Sequence, residues 1–135
     1  MILLIDKSKK VLIVKKNSTI TKNIRFSGKV IAGINCCFLG GIECDELYLS
    51  KGCEVCGEIR CERVVVGAYT RFNTIKAVDV LVLRGCIGNA ILADGDVRIM
   101  GECVIKEVSA GSNLLIEGNS KIGKMQARRI LAYET

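Results

Sequence analysis

The chain returns to one pattern every 16 or 17 residues, and a period of that length commits it to a solenoid, because so short a repeat buries an apolar face only against its neighbours. An apolar residue that follows a turn recurs as Ile42, Ile59, Ile75, Ile91, Val108 and Met125. Two positions later comes a small residue: Cys44, Cys61, Ala77, Ala93, Ala110, Ala127. Next is a pair separated by one residue, the mark of a strand with alternate side chains inward: Leu47/Leu49, Val64/Val66, Val80/Val82, Val97/Ile99, Leu114/Ile116, Ile130/Ala132. A fourth apolar column closes each turn at Val55, Phe72, Ile87, Ile105 and Ile122.

Each repeat therefore holds three short strand-like pieces separated by Gly, Asn, Asp and charged residues. These features predict an all-β chain folded as a single-domain, three-sided parallel β-helix of about six to seven coils, stacked about 4.8 Å apart. The absence of Pro agrees, since nearly every backbone N–H is needed by an adjacent coil. Ile24, Phe26, Gly28 and Val30 read as one further coil, and the register lapses between Ile31 and Gly41. Residues 10–20 read either as a strand laid over the first coil or as a loose arm. The division expected is a basic arm with an apolar tip over 1–17 and a β-helix polymerisation domain over 18–135.

The net charge of +6 is unevenly placed. Residues 1–29 hold eight Lys/Arg against Asp6 alone, a net +7, and residues 30–135 hold 12 against 13 acidic residues, a net −1. Within the basic segment Arg25 and Phe26 are the sole Arg and aromatic residue, too few to interleave for base stacking, which argues against a nucleic-acid partner. Met1, Ile2, Leu3, Leu4 and Ile5, followed by Lys7, Lys9 and Lys10, have the makeup of a small membrane foot, with an apolar tip for the interface and lysines for anionic lipid. The same residues also read as a β-strand packed on the body with solvated lysines. The run is too short to span a bilayer and lacks the order of a signal peptide, so a cytoplasmic protein is expected, peripheral on the inner membrane face if the foot is used. In that compartment the eight cysteines are expected to be thiols.

Cys53 and Cys56 spell CxxC, and Cys36 and Cys37 are vicinal, but no second CxxC at ligand spacing and no His accompany them. Cys44 and Cys61 share a column with Ala, and Cys53 and Cys103 share a turn column with Thr70 and Ser120, so structural thiols are the expected reading and no metal or cofactor is assigned. Residues 118–125, GNSKIGKM, approach a phosphate-binding loop, but Met125 stands where a Mg²⁺-ligating hydroxyl is needed. Enzymes on short-repeat β-helices rely on imidazole, which this chain lacks, and their six-residue period is broken by the steps from Ile59 to Val64, Val66 and Phe72. An enzyme is not expected, and no catalytic residue is named.

The strings IRFSGKVIAGI (24–34) and ECDELYLSKGCEVCGEIRCERVVV (43–66) resemble the rungs of the bactofilin family, and the likeness extends from Ser18 to Ala132. The resemblance implies a right-handed β-helix, head-to-head assembly into nonpolar filaments without nucleotide, and a scaffolding role for cell shape or for envelope and cell-wall enzymes. The chain departs from the family in its cysteines and in lacking Pro-rich flanks.

A solenoid has two open ends, and no polar cap is evident at either. Ile24 and Phe26 at one end, and Ile130, Ala132 and Tyr133 at the other, are the expected polymer interface. Two-fold contacts between like ends make a filament without polarity. The alternative is a capped monomeric or dimeric β-helix that docks a partner protein.

Overall fold

The computed structural model describes residues 3–133, which form strands, turns and bends with no α-helix. A first strand, β1 (Leu3–Asp6), precedes the stack. The first coil holds β2 (Val11–Val14), β3 (Thr19–Ile20) and β4 (Ile24–Arg25), and the second holds β5 (Lys29–Ala32), β6 (Cys37–Phe38) and β7 (Ile42–Glu43). In the third and fourth lie β8 (Glu46–Leu49), β9 (Glu54–Arg60), β10 (Arg63–Val66) and β11 (Arg71–Ala77). The fifth and sixth contain β12 (Asp79–Val82), β13 (Ile87–Ala93), β14 (Val97–Ile99) and β15 (Val104–Ala110). The seventh comprises β16 (Asn113–Glu117) and β17 (Lys121–Gln126), and β18 (Arg129–Tyr133) begins an eighth.

Successive coils pair in parallel and in register, so the chain is a β-solenoid of about seven turns, as the repeat predicts. One face runs through β1, β2, β5, β8, β10, β12, β14, β16 and β18. Its inward pairs, from Leu12/Val14 to Leu114/Ile116, are all buried. The second sheet starts as two separate short strands per coil and continues from β9 as one longer strand. That strand still turns a corner: Phe72 and Ile75 are both buried three residues apart, which strict alternation forbids without a bend. The corner step is four residues in the first three coils (Ile20 to Ile24, Phe38 to Ile42, Val55 to Ile59) and three thereafter. The ladder between β9 and β11 shifts register where the extra residue is lost.

Three sequence expectations are corrected. The stack begins at Val11, where residues 11–20 supply β2 and β3 of the first coil itself, neither overlying it nor hanging free. The register does not lapse after Ile31: Ala32, Cys36, Phe38 and Ile42 all point inward, and β5 pairs with β8 seventeen residues on. Phe38 and Ile42 stand in register with Val55 and Ile59, seventeen residues on, so this coil keeps the spacing of the next.

Ile87 is not an inward residue. It is 46% exposed, and Gly88 aligns with Phe72 below and Ile105 above. The phenyl ring of Phe72 takes the space of two rungs, since a Cβ on Gly88 would overlap its Cζ. The missing side chain of Gly88 thus compensates the large one of Phe72 in the rung below. Gly88→Ala is expected to destabilise the fold by about 1–3 kcal/mol through overpacking. Adding Phe72→Leu should recover part of that loss, and urea denaturation of the two single variants and the double variant measures the coupling.

Candidate assembly surfaces

At the carboxy-terminal end the last layer of the core faces solvent. Among the described residues β17 pairs only with β15, and β18 only with β16, so each presents an unpaired edge. Met125 and Ile130 are 46% and 44% exposed, whereas Val108 and Leu114, their mates one coil below, are 1% and 0% exposed. Ile122 and Ala127 are half-buried, and Ala132 and Tyr133 are exposed. The sequence-expected residues Ile130, Ala132 and Tyr133 all lie on this end. Periodicity alone could have added Ile122 and Met125, the last members of their columns.

The other end is built differently. β1 runs antiparallel to β2, the one antiparallel pairing among the described residues, with Leu3 opposite Val14 and Ile5 opposite Leu12. It covers the edge of one face and leaves β3 and β4 each with a single partner. Asp6 fixes the hairpin by accepting bonds from the Ser8 hydroxyl at 2.7 Å, the Ser8 amide at 3.1 Å and the Lys9 amide at 3.2 Å. The Ser8 hydroxyl bond is the largest cause of a lowered Asp6 carboxyl pKa. Gly28, at φ 143°, closes the first coil where a Cβ would collide with the Lys10 carbonyl oxygen. Ile24 is buried beneath Ile42, and Phe26 is half-buried against the core.

Of the residues considered for a membrane foot, Leu3 packs half-buried on the core while Leu4 and Ile5 are exposed. Lys7, Lys9 and Lys10 occupy the exposed turn after β1. Met1 and Ile2 lie outside the described residues. Among the described residues no helix is long and apolar enough to cross a membrane.

The ends share one electrostatic feature that totals over long segments conceal. Residues 118–133 carry Lys121, Lys124, Arg128 and Arg129 and no acidic residue. Both ends of the solenoid are therefore basic, and the compensating acidic residues lie along the middle coils.

Four of the eight cysteines serve the coil corner. Ser18, Cys36, Cys53, Thr70, Cys86, Cys103 and Ser120 form one inward column. Its donors reach down to a carbonyl in the coil below: Cys36 to Lys15 at 3.1 Å, Cys53 to Gly33 at 3.3 Å, Thr70 to Ser50 at 3.4 Å, Cys86 to Gly67 at 3.1 Å, Cys103 to Leu83 at 3.2 Å and Ser120 to Met100 at 3.0 Å. The sequence signal for this column was the exchange of Cys with Ser and Thr, residues that share only size and a side-chain donor. Contact with Cys103, then burial, pushes the Cys86 thiol above its usual range, so Cys86 stays neutral. Within CxxC, Cys53 points inward and Cys56 is exposed, so the two do not converge on one point. The loop-like string 118–125 passes into β17, with no helix behind it to receive a phosphate.

No family model, curated protein or solved structure matches the chain. The corner column yields one direct test. Cys86→Ser keeps a donor for the Gly67 carbonyl and should be tolerated, whereas Cys86→Val leaves that buried carbonyl unpaired and should cost about 1–3 kcal/mol in chemical denaturation.

Proposed function

We propose that the chain is a structural protein of the bactofilin type that assembles through the ends of its solenoid, without nucleotide, into scaffolding filaments. The observation that carries this reading is the open carboxy-terminal layer, where Met125 and Ile130 are each more than 40% exposed beside the unpaired edges of β17 and β18. Burying one such side chain contributes about 1.5–3 kcal/mol, and pairing a strand edge removes a liability that soluble monomers cover.

The shape of the end favours contact between like ends. β18 stands one strand higher than β17, and at the other end β1 stands one strand lower than β3 and β4 on the same face. Head-to-tail stacking sets the two projecting strands against each other and holds the remaining edges apart. A two-fold contact that lays β18 of one copy over β17 of another fills both steps and produces no polarity.

A second reading rests on β1. Because that strand caps one face of the first coil, assembly through the carboxy-terminal end alone stops at a dimer, which serves as a capped module for a partner protein. In either reading the residues act as surfaces and no catalysis is assigned. Exposed Leu4 and Ile5, set beside the Lys7–Lys10 turn, support peripheral contact with an anionic membrane surface, which many copies in an array would strengthen. Envelope or cell-wall enzymes are the partners such a scaffold would position.

Negative-stain electron microscopy in reducing buffer with chelator and no nucleotide distinguishes the readings: filaments support the polymer, and particles of dimer size support the capped module. Ile130→Lys adds charge at an already exposed position, so it should abolish end-to-end association and leave the thermal midpoint of the monomer nearly unchanged. Because both ends are basic, raising salt from low to physiological ionic strength, where charges farther apart than about 8 Å are screened, should increase assembly measured by light scattering. A loss of assembly with salt over that range would show that end-to-end burial is not the driving contact.

A further inference from the structure

One pair of thiols stands apart from the corner column. Cys44 in the second coil and Cys61 in the third follow the aligned residues Glu43 and Arg60, and their sulfurs are 3.2 Å apart. Cys44 is buried and Cys61 half-buried, and both line an open groove of about 630 Å³ bordered by Arg25, Glu43, Arg60 and Glu62. In three later coils the same position is Ala (Ala77, Ala93 and Ala110), so packing does not require sulfur here. Neither thiol belongs to the corner ladder. Cys44 has a carbonyl, that of Glu46, at 3.3 Å, but its second neighbour is the other sulfur.

We propose that Cys44 and Cys61 are a peroxide-oxidisable thiol pair that closes a disulfide between the second and third coils. Backbones of adjacent coils lie about 4.8 Å apart, within the Cα separations of about 4.4–6.8 Å that disulfides span, and the sulfurs must approach from 3.2 Å to about 2.05 Å. Cys61 is the nucleophile. It is the less buried of the two and so the one peroxide reaches, and donation from Cys44 across the sulfur contact, in which either thiol can donate, favours the Cys61 thiolate against burial and the carboxylates of Asp45 and Glu43.

The Cys61 thiolate attacks one oxygen of hydrogen peroxide, the O–O bond breaks, and hydroxide leaves to become water. Cys61 is then a sulfenic acid, oxidised by two electrons. The Cys44 sulfur attacks that sulfur, the S–O bond breaks, and the departing hydroxide takes the Cys44 proton as a second water. In balance, two thiols and one hydrogen peroxide give one disulfide and two waters. A thiol reductant reverses it.

The test is hydrogen peroxide treatment of the full chain, followed by alkylation and non-reducing peptide mapping. Cleavage after Glu43, Glu46, Arg60 and Glu62 isolates each cysteine in its own peptide, away from Cys36, Cys37 and Cys56. The expected product is a Cys44–Cys61 linked peptide that disappears with dithiothreitol. Cys44→Ala, which installs the residue that later coils carry in this column, should lose the linked peptide entirely and accumulate a Cys61 sulfenic acid trapped by dimedone. If peroxide consumes only the exposed Cys56, or joins other cysteines while Cys44 and Cys61 remain free thiols, the proposal is overturned.

Discussion

Each coil donates its N–H groups to the carbonyls of the coil beside it, and because the pairing is in register, residues of one column stack along the whole axis. Most other features follow from this alignment. Inward columns become ladders of Ile, Val and Leu, and any change of volume in one rung must be answered in the next, as Gly88 answers Phe72. Outward columns bring charges together, where like on like would repel. Signs alternate instead: Glu46 lies between Lys29 at 3.7 Å and Arg63 at 3.9 Å, and Arg84 meets Glu102 at 2.7 Å. These pairs are largely exposed and contribute little stability each, so their main effect is to remove a penalty that the stacking imposes.

The same alignment leaves an ordered but unsatisfied surface wherever it stops. The body has every inward side chain sandwiched, whereas β18 and β17 expose a layer of identical chemistry with nothing above it. β1 shows that the fold can cover an edge, and it does so on one face by reversing direction. The two ends are therefore unequal in apolar exposure although alike in positive charge. Any contact between ends would set hydrophobic burial, which acts at contact distance, against like charge, which acts over the longer distance that salt controls.

Sulfur has two roles here that the count of eight cysteines does not separate. At the corner, Cys is interchangeable with Ser and Thr because the needed property is a small donor aimed at a carbonyl one coil away. At Cys44 and Cys61, stacking places two small residues in successive rungs, and when both are Cys the ladder brings two sulfurs into contact. Neither role follows from the CxxC spacing of Cys53 and Cys56, whose members face opposite ways.

The repeat, the all-β class, the inward pairs from Leu47 to Ile116 and the exposed end at Ile130 and Ala132 were legible from sequence, because period-two alternation and a fixed coil length are properties of neighbours along the chain. Ile87 was misplaced because Gly88, which holds the column, carries no hydrophobic signal, and residues 31–41 were left without register because the step from Ile24 to Ile42 is eighteen residues where later steps are seventeen or sixteen. The strand β1, the basic carboxy-terminal rim and the contact between Cys44 and Cys61 join residues distant in the sequence or hidden in totals over long segments. A period of 16 or 17 residues is enough to require a stack of coils, since only adjacent repeats can bury so short an apolar stretch. Which end is covered, which sulfurs meet and which rung yields space emerge on folding, because they depend on the register between coils and on volumes that separate columns must share.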